Sequence, residues 1–203
     1  MTSALVFGGS FDPVHNGHLA IATQARDQTG ADEVWFVPAA IAPMRDHLAA
    51  PPEQRLELLR TAVHGMAHMR VLDLAVRSGG ISYTVETMDA LHRDHPGTEL
   101  SVLLGADVAR TIRAWHRSAD LLAGERFVVV NRTGPPPLDL DELRNLGYDR
   151  ERIVLLTVES PNISASEIRS RCGRGESIAG LVPDAVATMI AATAMYRSKR
   201  DDA

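Results

Sequence analysis

Gly8-Gly9-Ser10-Phe11-Asp12-Pro13-Val14-His15-Asn16-Gly17-His18-Leu19 follows directly on an apolar run, Ala4 to Phe7, and leads into a segment of helical period reaching Gln28. A short apolar run, a turn of small residues and a longer amphipathic segment read as a strand, a tight turn and a helix. Gly8 and Gly9 remove side chains where a backbone must bend sharply or approach a ligand. His15 and His18 fall at the start of the helix, where free N–H groups and about half a positive charge attract anions. Ligands of open α/β sheets bind at the carboxyl ends of the strands, which makes this turn the expected phosphate site. The spacing is neither GxGxxG nor GxxxxGK[ST], which sets aside a dinucleotide-dehydrogenase turn and a Walker loop. An isolated pair of histidines would more often cap or pack. Two glycines, Asp-Pro and HxGH within one turn favour chemistry, and no further ligand stands at local spacing to make the pair a metal site.

The same alternation continues outward. Strand candidates are Ala4 to Phe7, Glu33 to Val37, Arg70 to Ala75, Glu99 to Leu104, Arg126 to Val130 and Arg152 to Thr157. Helix candidates are Gly17 to Gln28, Pro52 to Met66, Thr84 to Arg93, Val108 to Ile112, Ser118 to Leu122, Leu140 to Leu146, Ser164 to Arg171 and Pro183 to Tyr196. The strand runs are apolar on both faces, as when helices cover both sides of a sheet, so the expected class is α/β, a single doubly wound parallel sheet. Residues 1–198 form that domain, and 199–203 are expected to be a frayed tail. Pro38 to Pro51 is long for a connection and reads as a lid. Asn131 to Asp139, with its three successive prolines, reads as a surface loop.

The 203 residues are 45% hydrophobic and 23% charged, which excludes a disordered or fibrous chain. Lys+Arg 21 against Asp+Glu 26 gives a net charge of -5, offering no positive field for a nucleic-acid backbone. The sequence holds one lysine, Lys199, so any cation in a site is arginine or protonated histidine. Cys172 is the sole cysteine and reads as filler near a helix end. The longest apolar stretch, Ala185 to Tyr196, falls short of the roughly 20 residues that span a bilayer. With no leader pattern at the N-terminus, a cytoplasmic protein without membrane partners is expected. His64, His68, His92 and His95 read as solvated helix-face residues.

Asn162-Ile163-Ser164-Ala165-Ser166-Glu167-Ile168-Arg169 follows the last strand candidate. Ser164 and Glu167 have the spacing of a capping box. Ser166 and Arg169 project from the same first turn, so hydroxyl, guanidinium and N–H groups can converge on phosphate.

With GGSFDPVHNGHL, DEVWFVPA, QRLELL, GISYTVETMDAL, LLGADV, RAWHRSADLL, FVVVNR and ISASEIR in order along nearly the whole chain, the sequence resembles the HxGH nucleotidylyltransferases and, among them, the bacterial nicotinate-nucleotide adenylyltransferases. The resemblance implies a Rossmann-like fold, an ATP cosubstrate with Mg²⁺ carried on its phosphates, no metal held by the protein, and joining of AMP to nicotinate mononucleotide with release of pyrophosphate. It implies that Gly8, Gly9, Ser10 and Phe11 lie along the nucleotide, with His15 and His18 on the phosphates. Ile163, Ser164, Ser166 and Arg169 would grip the nucleotide from the other side, and Gly105 and Asp107 would meet a ribose. Thr84, Trp115 and the backbone near His116 would receive the pyridine ring and its carboxylate. Where the family usually carries a PPHK-like motif, this chain reads Ala42-Pro43-Met44-Arg45. Arg45 then takes the catalytic place of a lysine, with a planar fork instead of a point charge, and His47 is a candidate stand-in for the imidazole. Transfer between two held anions requires positioning and charge neutralisation, not a protein nucleophile. A related transferase with another acceptor, such as nicotinamide mononucleotide, and an ATP-binding sensor without chemistry both stay open, as does a homo-oligomer.

Overall fold

The computed structural model describes residues 2–43, 48–132 and 136–197. These form a six-stranded parallel sheet in the order β3-β2-β1-β4-β5-β6. The strands are β1 (Thr2–Gly9), β2 (Glu33–Pro38), β3 (Met69–Val71), β4 (Thr98–Gly105), β5 (Arg126–Arg132) and β6 (Ile153–Val158). The helices are α1 (Asn16–Thr29), α2 (Pro52–Val63), α3 (Leu74–Ser78), α4 (Thr84–Asp94), α5 (Ala106–Ala109), α6 (Ser118–Gly124), α7 (Leu140–Leu146), α8 (Ala165–Arg174) and α9 (Asp184–Ala192). Short 3₁₀ turns cover Ile112–Ala114 and Arg150–Arg152. The expected doubly wound fold is the one observed.

Successive strand residues point to opposite faces, so each central strand feeds two layers. Leu5 and Phe7 of β1, Val34 and Phe36 of β2 and Leu103 of β4 pack with Ile21 and Ala25 of α1, Leu58 and Leu59 of α2, Ile168 of α8 and Ile190 of α9. Ala4, Val6, Trp35 and Val102 face the other way, against Met88 and Leu91 of α4, Leu121 of α6 and Leu143 of α7. The chain reverses its direction of growth between β1 and β4, and the carboxyl ends of these two neighbours define the crevice.

Several boundaries differ from expectation. Arg70 to Ala75 is not one strand: β3 ends at Val71, and Leu74–Ser78 turns as α3 with Ala75 buried beneath it. A short apolar run does not distinguish a buried strand from a buried helical turn. Val108 to Ile112 divides into the end of α5 and a 3₁₀ turn. The second helix stops at Val63, before Gly65 in the left-handed region, and the last stops at Ala192, with Ala194 and Tyr196 both left-handed. In the loop after β5, the Asn131 side chain clasps the Leu138 N–H and C=O at 2.9 and 2.8 Å. Residues 133–135 of that loop lie outside the described residues, as do Met44, Arg45 and His47 of the expected lid and the 199–203 tail.

Of the remaining histidines, His64, His68 and His92 are exposed, as expected, but His92 and His95 also make specific contacts. His92 Nε2 pairs with the buried Glu125 at 3.0 Å, the His95 ring packs on Trp35, and His68 occupies a left-handed turn. Among the described residues, no helix is long and apolar enough to cross a membrane.

Candidate active site

The two glycines after β1 do different work. A Cβ on Gly9 would meet the Phe11 ring at 3.0 Å, whereas one on Gly8 would meet nothing within 4 Å. Gly9 therefore lets the ring of Phe11, itself at φ 46°, tuck under the turn, and Gly8 keeps the strand end open to the crevice. Phe11 is 2% exposed and packs edge-on to Phe7. It is a prop beneath the turn, not an open nucleotide contact.

His15 caps α1, and its backbone N–H donates to His18 Nδ1 at 3.2 Å. That bond fixes the neutral His18 tautomer, leaving its proton on Nε2. The two rings stack at 3.7 Å, and His15 Nδ1 is buried with no hydrogen-bond partner. Burial first, and the charge of Arg132 second, push His15 down to about 4. His18 is pushed well below its ordinary value by burial among aromatic rings, then by His15 and Arg132. Without a ligand, both imidazoles are neutral near pH 7. An anion placed against them reverses the sign of the local field.

A crevice of about 720 Å³ opens over the carboxyl ends of β1 and β4. Gly8, Gly9, Ser10, Thr84, Asp107, Trp115 and His116 all line it, so seven expected site residues from four separate segments meet there. A smaller chamber of about 180 Å³ holds Arg110, Arg132 and Ser160–Asn162, and Asp107 stands on the wall of both. Gly105 is what allows this, because a Cβ there would lie 2.6 Å from Asp107 Oδ1. Trp115 donates its indole N–H to Thr111 Oγ1 at 2.9 Å, and the Tyr83 and His116 rings face each other at 4.3 Å.

The second motif is arranged differently. Ser164 Oγ accepts from the Glu167 N–H at 3.2 Å, but Glu167 turns its carboxylate to Arg171 at 2.8 Å, so only half of the capping box forms. The Ser164 and Ser166 hydroxyls pair at 3.1 Å, and Arg169 donates to the Asp12 carbonyl at 2.6 Å. Ile163 is buried. Ile163, Ser164, Ser166 and Arg169 border neither chamber, and Arg45 lies outside the described residues.

Three groups escaped the sequence reading. Arg132, at the end of FVVVNR, reaches Asp107 at 3.5 Å and projects charge on both imidazoles. Arg55 is 0% exposed and donates to the carbonyls of Ser10, Ala40 and Ala50 at 2.6, 2.8 and 3.1 Å. Its place three and four residues before Leu58 and Leu59, on the apolar face of α2, was a legible signal. Asp12 is 3% exposed and holds the turn to Ala49 and Ala50.

Residues 6–171 match the cytidylyltransferase-like family. The chain is 38% identical over 95% of its length to a "Probable nicotinate-nucleotide adenylyltransferase" of Gemmatimonas aurantiaca, covering 91% of that protein. It belongs to this family of nucleotidylyltransferases. A relative of the same name from Salinibacter ruber is 36% identical over 95% of this chain and 96% of its own. In fold, the chain resembles the Plasmodium falciparum nicotinic acid mononucleotide adenylyltransferase complexed with NaAD, with a TM-score of 0.82 at 18% identity over 97% of this chain and 98% of the other.

Proposed function

We propose that the protein transfers the adenylyl group of ATP to nicotinate mononucleotide, yielding deamido-NAD and pyrophosphate. The observation that carries the reading is Asp107, shared by two chambers at the carboxyl ends of the strands, so that two nucleotides can meet across one carboxylate. The larger chamber takes the mononucleotide, with its ring against Trp115 and its carboxylate toward Thr84 and the backbone near His116. The smaller takes the adenosine side of ATP, with its ribose on Asp107. The family membership supports the same assignment.

In this reading the mononucleotide phosphate attacks the α-phosphorus of ATP in line with the departing pyrophosphate. His18 presents Nε2–H as a donor to a phosphate oxygen, and His15 stacks behind it and holds it in place. Ser164, Ser166 and Arg169 at the start of α8, together with Arg132 and Arg45, supply the remaining donors and positive charge. Among the described residues, no group of three or more His, Cys, Asp or Glu could hold a metal ion. In this reading Mg²⁺ would arrive on the ATP phosphates and would supply charge neutralisation on the leaving group.

The test is pyrophosphate release from Mg-ATP with nicotinate mononucleotide, with nicotinamide mononucleotide, and with no acceptor. Release with the nicotinate compound alone is the expected result. Release with the amide alone would reassign the acceptor, and ATP binding without release under any condition would overturn the transfer.

A further inference from the structure

The last described residues of the chain return to the catalytic turn. After α9, Ala194 and Tyr196 adopt φ 52° and 65°. This region is sparsely populated by residues with a side chain and persists only where the surroundings over-determine it. Here the surroundings are the first hydrophobic layer, against which Tyr196 packs, and the carboxylate of Asp12, to which its hydroxyl donates at 2.8 Å.

Asp12 is the junction of four segments. Its Oδ1 accepts from Tyr196 and from the Ala50 N–H at 3.2 Å, and its Oδ2 accepts from the Ala49 N–H at 2.7 Å. Its own carbonyl accepts from Arg169 Nη1, and Ala50 passes its carbonyl on to Arg55 Nε. The turn carrying His15 and His18, the limb that closes the loop of Arg45, the first turn of α8 and the C-terminal hook are thereby tied to one buried residue. Burial and the neighbouring Asp12 push the Tyr196 phenol far upward, so it remains a donor across the working pH range. None of these residues lines the chamber of Thr84, Trp115 and His116; the network's link to it is Arg55, whose Nη1 donates to the carbonyl of Ser10 on its wall.

We propose that Tyr196 is a positioning residue for the ATP side of the site: through Asp12 it sets the placement of the Ala49-Ala50 limb and of Arg169 relative to His15 and His18. This rests on the adenylyl-transfer reading above. Removing the phenol oxygen leaves a buried carboxylate short of one donor, and the two N–H groups alone then locate it. The ring's packing is unaffected.

The experiment is Tyr196→Phe in the full chain. Steady-state pyrophosphate release is measured with each substrate varied, and calorimetric titration with nicotinate mononucleotide in the absence of ATP supplies both its affinity and the fraction of folded sites. The expected result is a fall of about tenfold or more in kcat/KM for Mg-ATP, the scale of one lost hydrogen bond to a charged group, with mononucleotide affinity within about twofold of the parent. A merely structural role would lower the folded fraction or the melting temperature while leaving kcat/KM per folded site unchanged, and that outcome overturns the proposal. An equal loss toward both substrates overturns it too. If the parent itself releases no pyrophosphate with any acceptor, the adenylyl-transfer reading fails instead.

Discussion

His15 and His18 stack at 3.7 Å with 28° between their planes, and the backbone N–H of the first is bonded to the ring of the second. The helical spacing of three residues puts both on one face of the first turn, and the bond selects which nitrogen of His18 carries a proton. His18→Ala is expected to lower turnover by about 10²–10³-fold, the scale of one preorganised donor to a developing charge. Steady-state pyrophosphate release, with circular dichroism as the control for folding, checks it. Near-parental turnover would remove His18 from the mechanism.

Gly17 lies under this stack. A Cβ there would approach His15 Nδ1 at 3.0 Å and Cε1 at 3.1 Å, and His15 has no room to withdraw because His18 is on its other side. Alanine normally favours a helix by about 1 kcal/mol over glycine. Gly17→Ala is instead expected to be neutral or destabilising by thermal melting and to cut kcat by about tenfold through a displaced imidazole. A stabilised variant with unchanged kcat would show that the stack can move.

The acid limb of stability follows from His15. Its folded value of about 4 lies below the ordinary 6.5, so between these values the unfolded chain binds the extra proton. Stability from this group is complete above about pH 6.5 and is lost as the pH falls toward 4, by up to about 3 kcal/mol. The melting temperature should therefore drop between pH 7 and pH 5, and His15→Asn should shrink that drop. Arg132→Ala removes a charge that opposes protonation, so the folded value of His15 rises toward 6.5 and the loss becomes smaller, its onset near pH 6.5 unchanged and its lower end at a higher pH. A parent melting temperature independent of pH over this interval would contradict the assignment.

Arg55 is fully buried and serves three carbonyls from three segments. Arg55→Met keeps the packing volume but strands all three acceptors beside Asp12. The expected cost is about 3 kcal/mol or more, read as a melting temperature lower by roughly 6–12 °C. Arg55→Lys should recover only part, because a point charge cannot bridge three directions.

The strands, the helices and the class of the fold were legible because apolar period and turn chemistry are local properties of the chain. Gly8, Gly9, His15 and His18 were legible for the same reason, being packed into one turn. Where local signals are degenerate the reading failed: Arg70 to Ala75 reads as one strand, yet the strand ends at Val71 and the chain turns into α3. Ser164 and Glu167 have capping-box spacing, but Arg171 competes for the carboxylate.

The chemistry proposed for the turn is therefore written in adjacent residues, whose types and spacing suffice to suggest a phosphate site. What surrounds that turn is a matter of contacts between residues far apart in the chain. Arg132 acts on histidines more than a hundred positions away, Asp107 is shared by two chambers, and Tyr196 closes on Asp12 across 184 positions. Electrostatic depression of the imidazoles and the anchoring of a buried carboxylate depend on distance and desolvation, and both exist only once the parallel sheet has brought the carboxyl ends of its strands together.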